Sequence, residues 1–96
     1  VLKGAGSVTA APDGRWWINA SGNPGMAGGG MGDTLTGIVA GLAAQLVPPE
    51  LAAIAGVHLH GAAGDALAGC GRGPLGITAG EVADAARTLV NASPAR

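Results

Sequence analysis

The stretch from Asn23 to Asp33, NPGMAGGGMGD, constrains this chain more than any other. Five of its eleven residues are glycine and the second is proline. Glycine loses the most conformational entropy when ordered, and proline lacks an N–H, so the run reads as a loop. An apolar stripe follows at once. Leu35, Ile38, Val39, Leu42, Ala43, Leu46 and Val47 recur with the 3.6-residue period of a helix. The spacing predicts a helix that begins near Gly32 or Asp33 and stops at Pro48 and Pro49. Its other side carries Gly37, Ala40, Gly41 and Ala44, which predicts close packing there too and a helix buried on most sides.

A glycine turn running into a helix has a chemical consequence. The first N–H groups of a helix lack intrahelical partners, and the aligned peptide dipoles leave positive charge there. Glycines in front add donors without Cβ obstruction, so the element can hold a phosphate or a developing anion. Gly28, Gly29, Gly30 and Gly32 supply the turn, with Gly29, Gly30, Met31 and Gly32 as the expected anion hole. Asp33 ends it. A carboxylate at that point is favoured by the dipole and is placed to act as a base. Anion donors beside a base are the layout that phosphoryl transfer requires. The plainer reading of the same residues is an Asp N-cap behind a tight connection. The run is not a Walker A loop, because no Gly-Lys-Ser/Thr follows. It is not a dinucleotide fingerprint either, because no acidic residue ends a following strand.

Around this element the chain reads as strand, hairpin, loop and three helices. Val1 to Lys3 ends a strand. Ser7 to Ala11 and Arg15 to Asn19 flank the turn Pro12-Asp13-Gly14 and predict a hairpin, with Trp16 and Trp17 on opposite faces. Residues 20–31 are expected as loop. A second helix is expected from Pro49 to Leu67, with proline tolerated in its first turn. A glycine-rich loop follows at 69–76. Thr78-Ala79-Gly80-Glu81 fits a capping box and predicts a third helix over 79–91, before an end expected to fray at 93–96.

With 96 residues the chain is at most one small domain. It opens on a strand-like run without an initiator Met, so an absent N-terminal part is expected. Lys and Arg total five and the net charge is −1, which excludes the clustered positive charge of a nucleic-acid surface. The longest apolar run, 35–47, is short and interrupted for a bilayer span, and no signal segment is visible. The lone Cys70 permits no internal disulfide and suits a reducing compartment, so a cytoplasmic location is expected.

His58 and His60, two apart on a helix, project to different sides and are not expected to share a metal ion. Asp65 lies on the His58 stripe and is expected to make a structural hydrogen bond or charge contact. Nothing marks Cys70 as a nucleophile. Trp16 and Trp17 read as hairpin packing. Lys3 alone would be a solvated strand end.

The run from Asn23 to Asp33, continued by TLTGIVAGLAAQ, resembles the C-terminal signature of the ADP-dependent NAD(P)H-hydrate dehydratases, a ribokinase-like family. Leu2-Lys3-Gly4-Ala5-Gly6-Ser7 resembles that family's KGAxT segment, and VHLHGAAGDALA at 57–68 resembles its following helix. The resemblance implies an α/β fold, with residues 1–96 as the C-terminal part of a ribokinase-like α/β sandwich. It implies a repair lyase that uses ADP, or ATP, with Mg²⁺ to dehydrate the S-form of hydrated NADH or NADPH, releasing AMP and phosphate. Asp33 falls on the catalytic and hydrate-contacting position, Gly32 on a nucleotide-contacting one, and Lys3, Gly4, Ala5, Gly6 and Ser7 on the adenine-nucleotide segment. Ser7 stands where the family more often has Thr and keeps the hydroxyl; Gly28 stands where a small hydroxyl residue is common. A homo-oligomeric parent and a fused or separate epimerase are also implied. The alternatives are a ribokinase-like kinase of a vitamin precursor and a non-catalytic nucleotide-binding or assembly segment. A mean hydropathy of +0.39 predicts that the piece alone is inactive and self-associates.

Overall fold

The computed structural model describes residues 1, 7–26 and 28–92. The expected strand end at 2–3, most of the nucleotide segment (Lys3, Gly4, Ala5 and Gly6) and the expected frayed end at 93–96 lie outside them. The hairpin forms as expected, with shorter strands. β1 (Val8–Ala10) pairs antiparallel with β2 (Trp16–Ile18), Thr9 opposite Trp17. Gly14 supplies the turn's φ of +93°, and Asp13 holds its far side by accepting from the Arg15 N–H and side chain. Thr9 is buried and Trp17 half-buried on the inner face, where the Arg15 guanidinium lies 5.5 Å from the Trp17 ring centre. Trp16 and Ile18 are 62% and 61% exposed on the other face.

Three helices follow: α1 (Met31–Ala44), α2 (Pro49–Gly69) and α3 (Ala79–Ala92). Met31, Ala63, Leu67, Ile77, Val82 and Ala86 form the core where they meet. α1 and α2 approach closely at Gly56, where a Cβ would lie 2.6 Å from a Val39 methyl.

α1 departs from expectation in three ways. It begins at Met31, earlier than the predicted Gly32 or Asp33. It is not buried on most sides: Met31 and Leu35 alone are buried, and Gly37, Ala40, Gly41 and Ala44 are exposed. It also ends at Ala44, before its apolar stripe does. The Leu46 and Val47 N–H groups fold back onto the carbonyls of Ala43 and Leu42, a Schellman closure with Leu46 at φ 66° and 92% exposed. Glycine usually takes that position, so no residue type announced the stop.

α2 runs two residues further than expected. The Gly71 and Arg72 N–H groups close it onto Ala68 and Leu67, with Gly71 at φ +87°. At 21 residues it is long and apolar enough to cross a bilayer, a length that the run at 35–47 did not suggest. Here it is the central helix, with eight buried residues, packed against both other helices and the hairpin. The capping box forms in full. The Thr78 N–H donates to Glu81 Oε1 at 3.0 Å, and the Glu81 N–H donates to Thr78 Oγ1 at 3.2 Å.

Candidate active site

Residues 19–26 lie along α2, and glycines make that approach possible. A Cβ at Gly61 would meet the Ser21 carbonyl carbon at 2.8 Å, and one at Gly64 would overlap the Met26 side chain. The Ser21 hydroxyl is the donor to both Asn19 Oδ1 at 3.0 Å and the His58 carbonyl at 3.1 Å, which share its one hydrogen. Asp65 then holds the next two residues. Its Oδ2 accepts the Gly22 N–H at 2.9 Å, and its Oδ1 accepts Asn23 Nδ2 at 3.0 Å. Asn23 Oδ1 accepts the Gly25 N–H at 3.0 Å, which starts a 3₁₀ turn at Pro24–Met26 inside the expected loop. Gly25 in turn abuts Pro74, whose carbonyl carbon a Cβ would approach to 2.8 Å.

Beyond this turn Gly28 and Gly30 face residues 77–79. A Cβ at Gly28 would lie 3.6 Å from the Ile77 carbonyl oxygen, and one at Gly30 would lie 3.3 Å from Ala79 Cβ. The starts of α1 and α3 are therefore neighbours. Gly30, with φ +83°, is the N-cap of α1, and no side chain caps it. The first helical bond runs from the Thr34 N–H to the Gly30 carbonyl at 3.0 Å. The N–H groups of Met31, Gly32 and Asp33 thus precede the helical ladder.

Asp33 is the third helical residue and not the N-cap of the plainer reading. It is exposed, and its carboxylate engages no hydrogen bond or ion pair among the described residues. Gly29 and Gly32 are exposed as well, whereas Met31 is buried, so Met31 offers the site its N–H alone. Ser7 lies at the open end of the hairpin, where its carbonyl accepts the Asn19 N–H at 2.9 Å.

Other residues sort differently. His58 is exposed and His60 buried, on separate sides as expected. No three His, Cys, Asp or Glu residues gather into a metal-sized group among the described residues. Asp65 makes the expected structural hydrogen bonds, but its partners in the loop were not foreseen. The seats at Gly61 and Gly64, the Asn23 turn and the nearness of the α3 cap to Gly30 were also missed. The short spacing of HGAAGD, two glycines three apart and then an acid, was the available sign. A cleft of about 250 Å³ opens between Trp17, Asn19, Ile54 and His58, with no contribution from 28–33.

Residues 1–85 match the family model described as NAD(P)H-hydrate dehydratase. The bifunctional NAD(P)H-hydrate repair enzyme Nnr of Moorella thermoacetica is 55% identical over 84 residues, which are 88% of this chain and 16% of that protein. The ADP-dependent (S)-NAD(P)H-hydrate dehydratase of Neisseria meningitidis serogroup B is 48% identical over 91 residues, 95% of this chain and 31% of that protein. A crystal structure of the ADP/ATP-dependent NAD(P)H-hydrate dehydratase of Bacillus subtilis, co-crystallised with ATP/Mg²⁺ and soaked with CoA, superposes with a TM-score of 0.87. It is 37% identical, and the match covers 95% of this chain and 33% of that one. The chain thus spans between about a sixth and a third of the proteins it matches.

Proposed function

The chain belongs to the NAD(P)H-hydrate dehydratase family, and from that premise we propose that residues 28–33 hold the transferred phosphate and supply the base of an ADP-dependent hydrate dehydratase site. One observation carries this reading. Among the three helices, α1 has the start left open for an anion, with an uncapped Gly30, exposed glycines before it and, at Asp33, a carboxylate with no partner among the described residues. α2 begins with two prolines, and Thr78 and Glu81 occupy each other at the start of α3.

In this reading the N–H groups of Gly29, Gly30, Met31 and Gly32 hold the terminal phosphate of ADP, or of ATP. Lys3, Gly4, Ala5, Gly6 and Ser7 hold the rest of the nucleotide. Asp33 takes the proton of the ring hydroxyl of hydrated NADH or NADPH in its S form. The hydroxyl oxygen attacks phosphorus as AMP leaves from ADP. The C–O bond then breaks, phosphate departs, and a ring proton is lost as the double bond returns. Mg²⁺ would neutralise charge on the phosphates. With one carboxylate on 28–33 and no larger donor cluster among the described residues, the fit is to an ion held mainly by nucleotide oxygens and water. The remaining walls come from the parts of such an enzyme that this chain does not span. A cytoplasmic setting, a homo-oligomer and an epimerase, fused or separate, complete the proposal.

The test is a graft. These 96 residues replace the matching third of the Bacillus subtilis enzyme, and the hybrid is given hydrated NADH, ADP and Mg²⁺. Recovery of NADH absorbance with release of AMP and phosphate is expected. A phosphorylated product that persists would instead favour a kinase, and ADP binding without turnover would favour a non-catalytic segment.

A further inference from the structure

The Asp65 carboxylate spends both oxygens on the loop that leads to the glycines. One accepts the Gly22 N–H at 2.9 Å and the other the Asn23 side-chain amide at 3.0 Å. Among the described residues no cation pairs with it, and both donors that it accepts from are neutral. Bonds to an ionised acceptor are roughly twice as strong as neutral ones. Gly22, at φ +105°, turns its N–H in a conformation that other residues rarely adopt. Asn23 passes the constraint on, since its other amide atom accepts the Gly25 N–H and the Met26 N–H bonds to the Asn23 carbonyl at 3.1 Å. Two residues after Met26 the chain reaches Gly28.

We propose that Asp65 is a positioning residue for the phosphate-holding loop: through Gly22 and Asn23 it fixes the path from Asn19 to Gly30 and so the direction in which the N–H groups ahead of α1 point. The proposal rests on the reading of residues 28–33 given above. Asp65 touches neither nucleotide nor hydrate, and it acts through the loop. Asp65 is exposed, so its loss acts on the loop more than on the helical core.

Reciprocal exchange tests it. Asp65→Asn keeps an oxygen for the Gly22 N–H but sets an NH₂ against the NH₂ of Asn23. Asn23→Asp combined with Asp65→Asn restores a donor facing an acceptor there and leaves an oxygen for the Gly25 N–H. Wild type, Asp65→Asn, Asn23→Ala and the double exchange are compared in the grafted enzyme by amide exchange, thermal melting and titration with Mg-ADP. The single variants are expected to exchange faster at Gly22, Gly25 and 28–30, with exchange in the α2–α3 core unchanged. They should bind ADP about five- to tenfold more weakly, the cost of a lost hydrogen bond. The double exchange should recover both. Unchanged loop exchange in Asn23→Ala and Asp65→Asn, a uniform loss of protection through all three helices, or a double exchange no better than the singles would each overturn it. A graft with the wild-type residues that ignores Mg-ADP would count against the nucleotide reading, while the exchange data would still decide the clamp.

Discussion

Asp33 illustrates how much one helical position decides. At the N-cap a carboxylate is occupied by the backbone N–H groups it caps. As the third helical residue behind Gly30 it is relieved of that task and points to solvent beside them. Asp33→Asn should therefore cost little stability, about 0.3–1 kcal/mol of lost interaction with the helix dipole. Turnover in the grafted enzyme should fall about 10²- to 10⁴-fold, the usual worth of a general base, while ADP affinity is retained. Denaturant melts and steady-state kinetics on the same variant separate the two; a large stability loss with intact activity would reverse the assignment. The catalytic candidate was legible in the sequence because a glycine run, an acid and an apolar period fell in order. Its position was misjudged by a turn's start, because Met31 reads as loop beside four glycines until its burial in the core makes it helical.

Among the elements, α3 shows the strongest local specification. Thr78 and Glu81 satisfy each other's backbone, and Arg72 adds a contact at 3.6 Å. These bonds, first those from the Thr78 N–H and hydroxyl, hold the Glu81 carboxyl below its ordinary value, with Arg72 a smaller influence. A carboxyl lowered by folding stabilises the native state when ionised, so its contribution is present above the usual carboxylate range and disappears as pH falls through that range toward the native value. Denaturant titrations across acid pH should show a shallower decline for Glu81→Gln than for wild type, with the two converging at the acid end. Thr78→Ala should cost about 1 kcal/mol at neutral pH. Such a box is short-range chemistry, and four residues of sequence suffice to announce it. The ends of α1 and α2 were less legible. Both close by the same motif, but Gly71 marks one and Leu46 hides the other. The exposed face of α1 was misread for a related reason: small residues permit close packing and do not require it.

For the molecule as a whole, α2 is the common support. Ala63 and Leu67 turn toward the core shared by the helices, while Gly61 and Gly64 leave room for residues 19–26. Gly61→Ala should drive a methyl into the Ser21 backbone and destabilise the chain by about 1–3 kcal/mol. Gly37→Ala on α1, where a Cβ meets nothing within 4 Å, should stabilise it by about 0.5–1 kcal/mol. Equilibrium unfolding of the pair checks the opposite signs. Contacts of this kind escape sequence reading because they join distant positions. Ser21 reaches His58 across 37 residues, and Asn23 reaches Asp65 across 42, with all of α1 between. Closing a segment that long delays its contacts until the intervening helix has docked, so the loop should settle late in folding. The same separation bears on engineering. Residues 23–33 moved alone onto another scaffold would carry their glycines but lose the helix that shapes them; the smallest transferable cassette runs from Asn19 through Asp65.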